Sequence, residues 1–141
     1  MNQKDINQKD IIGLKPNPSQ VLGMVKPLLK EKMTKEEFVK TYYSLAEKAG
    51  KKYNLNPTVI LAQAAHESGW GGSYAARVRK NFFGIIAAGS PNEYWDGSKS
   101  PSQTNPHLVF RIYKTAQDSF MDFANYAMIG LLVLDGKWPN E

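Results

Sequence analysis

Apolar residues recur along this chain with two periods, and the change from one to the other divides it. Phe38, Tyr42, Leu45 and Ala49 follow one another three or four positions apart, the spacing that gathers side chains on one face of an α-helix. Thr34 with Glu37 is a capping-box signal that opens this helix, and Gly50 with Lys51 and Lys52 marks its end or a late kink. Asn56 and Pro57 start another helix, asparagine as N-cap and proline in the first turn. Val59 to Ala65 is almost wholly apolar, so this helix is expected to be central and buried, stopping at Gly69. A short helix is expected from Tyr74 to Val78. Upstream, Ser19 would cap a helix carrying Val21, Met24, Val25, Leu28 and Leu29, with Pro27 working against it.

The pattern changes after Gly84. Glycines and prolines punctuate residues 84 to 106, while Tyr94-Trp95 and the alternating run Leu108 to Tyr113 read as strands. They predict a small antiparallel hairpin with a Gly/Ser/Pro-rich tip. Thr115 and Asp118 then open a last helix with Ala116, Phe120, Phe123, Ala127, Leu131 and Leu134 on its buried side. The expected class is α+β, mostly α: helices around one central buried helix, with a β-hairpin lobe. Residues 1–18, polar and carrying NQKD at Asn2 and again at Asn7, read as a flexible lead, and residues 19–141 as a single domain.

Composition narrows the chemistry. A chain of 141 residues is long enough for one sizeable core. The absence of cysteine excludes disulfides, thiolate metal sites and a thiol nucleophile. The formal net charge of +5 suits nucleic acid, anionic lipid or the acidic polymers of a bacterial wall without choosing among them. The lysines between Lys26 and Lys52 read mainly as a solvated face. The polar N-terminus lacks the apolar core of a signal peptide, and the longest strongly apolar run, Ala127 to Leu134, is far short of the roughly 20 residues of a membrane span.

Glu67 lies seven positions after Ile60 and three after Ala64, which places it on the apolar face of the buried helix. A carboxylate rarely sits there without a reason. Burial and the negative end of the helix would both raise its pKa and keep a proton available for a glycosidic oxygen. Trp70 and the pair Phe82-Phe83 would supply an apolar wall. A buried glutamate in this place would also serve to pin the next loop through backbone amides, and the residues alone leave both roles open.

The run Ala62-Gln63-Ala64-Ala65-His66-Glu67-Ser68-Gly69-Trp70-Gly71 resembles the signature of bacterial glucosaminidases of the flagellar-rod and autolysin type. Asn81-Phe82-Phe83-Gly84-Ile85 resembles the family's second block, and Phe110-Arg111-Ile112-Tyr113 followed by Ser119-Phe120 its third, in the family's order and spacing. The resemblance covers residues 53 to 126. It implies a lysozyme-like fold, Glu67 as catalytic acid and no cofactor. The implied substrate is the glycan strands of peptidoglycan, cut at the β-1,4 bond after N-acetylglucosamine.

The family carries a further acidic residue on the hairpin lobe, but no Asp or Glu occurs here from Gly97 through Gln117. Glu93 and Asp96 are the nearest candidates to hold the attacking water or steady an oxocarbenium-like transition state. Both also read as turn residues, Asp96-Gly97 being a common turn pair. Trp70, Phe82, Tyr94 and Tyr113 are candidates for contact with sugar, whereas Trp95 and Phe83 read as core. The family continues past the last helix to a segment bearing a tyrosine near the acid. This chain ends at Glu141, so it is expected to be truncated or a short variant, and Tyr126 is the candidate stand-in. Arg111 would bind a peptide-stem carboxylate or pair with Asp118 or Asp122.

His66 is expected to be structural, and His66 and His107 without ligand spacing argue against a metal site. Ser68 lacks a nucleophile elbow. The expectation is a monomeric hydrolase of the bacterial wall, secreted or phage-delivered, binding no nucleic acid. The alternatives are a muramidase or lytic transglycosylase on the same fold, or a wall-binding module without turnover.

Overall fold

Side-chain caps set the helix boundaries in the computed structural model, which describes residues 17–19 and 33–137. The chain divides into Met1–Glu31 and Lys32–Glu141, and the helices and strands that position the site belong to the second unit. The helix expected over residues 21–29 and nearly all of the expected flexible lead lie outside the described residues.

Helix α1 spans Lys35–Tyr53. The Glu37 amide donates to the Thr34 hydroxyl at 3.1 Å and the Thr34 amide donates to the Glu37 carboxylate at 3.2 Å, completing the expected capping box. Gly50 does not end this helix, as the sequence suggested. The helix runs on to Tyr53 and closes at Asn54, which takes a left-handed conformation with φ 55°. Gly50 is there for proximity: a Cβ on it would stand 2.5 Å from the Leu55 carbonyl oxygen. The chain turns across this bare position into α2, Pro57–Ser68, capped by the Asn56 side chain accepting from the Thr58 amide at 2.9 Å.

Helix α2 is followed by α3, Tyr74–Arg79, then by strands β1, Lys99–Pro101, and β2, Val109–Arg111. The strands pair antiparallel with Lys99 opposite Arg111 and Pro101 opposite Val109. Tyr94 and Trp95 form no strand. Their amides instead donate to the Asn92 side chain at 2.8 and 2.9 Å, which curls this stretch into a turn. Helix α4, Ala116–Leu134, starts on the expected Thr115 cap. The result is a mostly helical domain with a small two-stranded sheet.

Helix α1 packs against both α2 and α4. Their shared core is aromatic in the middle, where Phe38, Phe82, Phe83 and Phe120 are buried, and small where the helices close together, at Ala46, Ala49, Ala64 and Ala124. Two expectations of burial fail. Val59 on α2 is 63% exposed, because neighbours cover only one side of that helix. On α4, Phe120 is buried, but Leu131 and Leu134 are exposed, so the expected stripe is covered over its first half only.

Candidate active site

Glu67 stands in the last turn of α2, and its side chain is exposed rather than buried. Ile60, Leu61, Ala64, Ala65 and Ser68 form the buried arc of this helix. At about 100° per residue, Glu67 falls about 90° from the middle of that arc, at its rim. The residues around it are rigidly held. Ser68 is buried, donates to the Ala64 carbonyl at 2.5 Å and accepts from the Gly71 amide at 2.8 Å. Three successive left-handed residues come next, Gly69, Trp70 and Gly71, with φ of 55°, 56° and 77°. Left-handed backbone at a tryptophan costs on the order of 1–2 kcal/mol, so the surrounding packing must enforce it.

The carboxyl has two neighbours. The Gln63 amide donates to Oε1 at 3.2 Å. Oε2 faces Gly84, where an added Cβ would approach it to 4.0 Å. Gly84 itself lies in a tight turn with φ 64°. Asn81 builds that turn: its side-chain carbonyl accepts from the Phe83 and Ile85 amides at 3.4 and 3.1 Å. Its amide donates to the Ile85 and Arg111 carbonyls at 2.9 and 3.1 Å. The first two blocks read in the sequence therefore meet at Glu67, and the third supports them from behind.

The expected sugar-facing residues do not all face outward. Phe82 is buried against Phe38, Tyr42 and Phe120, so it belongs to the core. Tyr113 is buried too, and its hydroxyl donates to the Asp122 carboxylate. Burial and that carboxylate push the Tyr113 phenol far above its ordinary value. Both were expected at the cleft because aromatic type alone does not distinguish a core ring from a stacking one. Trp70 is half-buried, edge-on to Phe38 at 5.6 Å with Lys35 over its ring. Trp95 and Phe83 are buried, as their sequence context implies.

Tyr94 is turned toward the end of α1. Its hydroxyl accepts from Lys52 at 2.6 Å and shares a short hydrogen bond with Tyr53. Desolvation, followed by the bond to Tyr94, pushes the Tyr53 phenol up to about 12. Glu93 lies 3.5 Å from Lys52 and is exposed. Asp96 accepts from the Ser98 amide at 2.9 Å, the geometry of a turn, and lies 3.9 Å from Lys114. Hydrogen bonds from Ser98, then the charge on Lys114, hold the Asp96 carboxyl below the ordinary carboxylate range. Glu93, Tyr94 and Asp96 line one cavity of about 260 Å³ together with Lys114 and Asp118. Glu67 is not among the residues that line it.

Arg111 resolves one open pairing in favour of Asp122, 2.9 Å away, with both side chains buried. Its guanidinium stacks over Trp95 at 3.9 Å and donates to the Tyr126 hydroxyl at 3.0 Å, leaving the Tyr126 ring exposed. The sequence leaves Asp122 as one of two possible partners and gives no sign that Asn81 and Gln63 act as supports. For Asp122 the available signal was a carboxylate between Ser119, Phe120 and Phe123 on an apolar helix face. Ser68 has a structural role and His66 is exposed. Among the described residues, no group of three or more His, Asp or Glu side chains is placed to hold a metal ion, and no helix is long and apolar enough to cross a membrane.

The family model for glucosaminidase, described as mannosyl-glycoprotein endo-beta-N-acetylglucosaminidase, matches residues 43–131. The chain is 36% identical over 103 residues to peptidoglycan hydrolase FlgJ of Vibrio parahaemolyticus, a match covering 64% of this chain and 32% of that protein. It is 28% identical over 104 residues to peptidoglycan hydrolase FlgJ of Pseudomonas aeruginosa, covering 64% of this chain and 25% of the relative. The chain thus spans a third or less of the length of these relatives. The solved glycoside hydrolase domain of FlgJ from Salmonella typhimurium superposes with a TM-score of 0.55 at 24% identity, covering 68% of this chain and 62% of that one, a likeness of fold.

Proposed function

Since this chain belongs to the glucosaminidase family, we propose that it is a peptidoglycan hydrolase that cuts the β-1,4 bond after N-acetylglucosamine, with Glu67 as the general acid. The observation that carries this reading is the Glu67 carboxyl itself, exposed at the end of a rigid helix and facing the open turn at Gly84. A glycan laid across the exposed side of this carboxyl, over the bare Gly84 turn, would meet the acid directly. The relatives named as peptidoglycan hydrolases supply the substrate class.

Gln63 donates to Oε1 of Glu67, which leaves Oε2, on the Gly84 side, to carry the proton. That proton passes to the glycosidic oxygen as the bond to the anomeric carbon breaks, and water then adds to that carbon, releasing a proton that restores the acid. The carboxyl is exposed in the free chain, and a bound glycan would exclude water from it. Water attack is assisted by Glu93, by Asp96 or by the substrate's own acetamido group. Both carboxylates have lysine partners, Lys52 and Lys114, which favours the acetamido group. Trp70, Tyr94 and the exposed ring of Tyr126 are the aromatic residues left for sugar contact. The proposed setting is the bacterial wall, reached by secretion or phage delivery, with the chain acting as a monomer and without a cofactor.

The test is release of soluble fragments from purified peptidoglycan by the wild type and by Glu67→Gln, with mass analysis of the new ends. Release by the wild type alone, with N-acetylglucosamine at the reducing ends, is the expected result. Muramic or anhydro-muramic ends would overturn the bond specificity. Binding without release by the wild type would make the chain a wall-binding module.

A further inference from the structure

We infer that Arg111 is a positioning residue for the reaction at Glu67, an inference that rests on the hydrolase reading above. Its side chain lies beneath the segment Ile85–Ala88, which continues directly from the Gly84 turn, and ties that segment down along its length. The guanidinium Nε donates to the Ile86 carbonyl at 3.2 Å, and Nη2 donates to the Ala88 carbonyl. The main-chain amide of Arg111 donates to the Ile85 carbonyl at 3.1 Å, and its own carbonyl receives the Asn81 side chain. One arginine therefore holds three carbonyls, those of Ile85, Ile86 and Ala88, in the segment that leaves the turn facing Glu67.

The arginine is itself clamped. Nη1 meets Asp122 of α4 at 2.9 Å, and the guanidinium plane rests on Trp95. Asp122 also accepts from Tyr113 and from the Asn92 side chain at 2.8 Å. Arg111 is 2% exposed and Asp122 is fully buried, so neither group is available to bind a substrate. A buried fork of donors spent on backbone carbonyls of one loop fixes that loop in a single conformation. Loss of the clamp lets the Gly84 wall drift relative to Oε2 of Glu67. A misplacement of about 1 Å lowers a rate by up to about 10²-fold without removing any group that reacts.

Arg111→Lys keeps the charge but loses the fork. Arg111→Met combined with Asp122→Leu removes the pair without leaving a lone buried charge, which guards against simple failure to fold. Both are assayed on soluble uncrosslinked glycan strands, and amide hydrogen exchange is followed at residues 85–88. The expected result is a fall in kcat of about 10- to 10²-fold, a nearly unchanged KM, and faster exchange at residues 85–88 than in α1 and α2. A folded variant with wild-type kcat overturns the inference, as does a rise in KM at unchanged kcat, which would make the arginine a binding group. A variant whose exchange rises uniformly along the chain, with no excess at residues 85–88, also overturns it, since Arg111 would then act through stability alone. A wild type that releases nothing sinks the hydrolase reading instead, and the inference with it, whereas wild-type turnover with an unaffected Arg111→Lys sinks the inference alone.

Discussion

Tyr53 shows how far a single side chain departs from its ordinary chemistry once neighbours close on it. Its phenol is raised to about 12, by desolvation first and by the hydrogen bond with Tyr94 second. The folded chain favours the neutral form, so the contribution to stability is complete below the unfolded value near 10. It is lost as pH rises through about 12. Tyr53→Phe is expected to make the fall in melting temperature between those limits shallower, and an unchanged pH profile would refute the assignment. Nothing in the local sequence marks Tyr53, because its partner Tyr94 is 41 residues away. Glu67 is the contrasting case. Its block was legible residue by residue, yet its exposure was not, since the rim of a buried arc is set by what packs on the helix.

Among the elements, helix starts were the most legible features. Thr34, Asn56 and Thr115 each cap as expected, because a cap acts through amides only two or three positions away. Helix ends and strands were less legible. Gly50 looks like a terminator but lies inside α1, and it gives a prediction in which two effects compete. Helix propensity would make Gly50→Ala stabilising by about 1 kcal/mol. The Cβ would stand 2.5 Å from the Leu55 carbonyl oxygen, a backbone atom that cannot swing away. Overpacking of this kind costs about 1–3 kcal/mol, so a net loss is expected in urea unfolding. A gain would show that the α1–α2 turn yields easily. Tyr94-Trp95 reads as a strand and is a turn, because β-propensity carries no information about Asn92 capturing both amides.

The assembled domain depends on the buried pair Arg111–Asp122, which joins the sheet to α4. Removing one member of such a pair strands the other in a dry interior. Asp122→Ala is therefore expected to cost about 3–5 kcal/mol in denaturant unfolding. Arg111→Met with Asp122→Leu should recover most of that loss. A loss under about 1 kcal/mol for the single variant would mean that water reaches the arginine. The same arginine also holds the Ile86 and Ala88 carbonyls, in the segment that follows the Gly84 turn.

Local signals were sufficient for the class of fold, the helix caps, the place of Glu67 at the end of α2 and the membership that its surrounding block implies. Each depends on interactions within about one helical turn or on a contiguous run of residues. The burial of Phe82 and Tyr113, the exposure of Glu67, the spacing role of Gly50 and the choice of Asp122 as partner for Arg111 came from the folded chain alone. These features depend on segments far apart in sequence arriving at one place, and a periodic pattern records which face is apolar without recording what covers it.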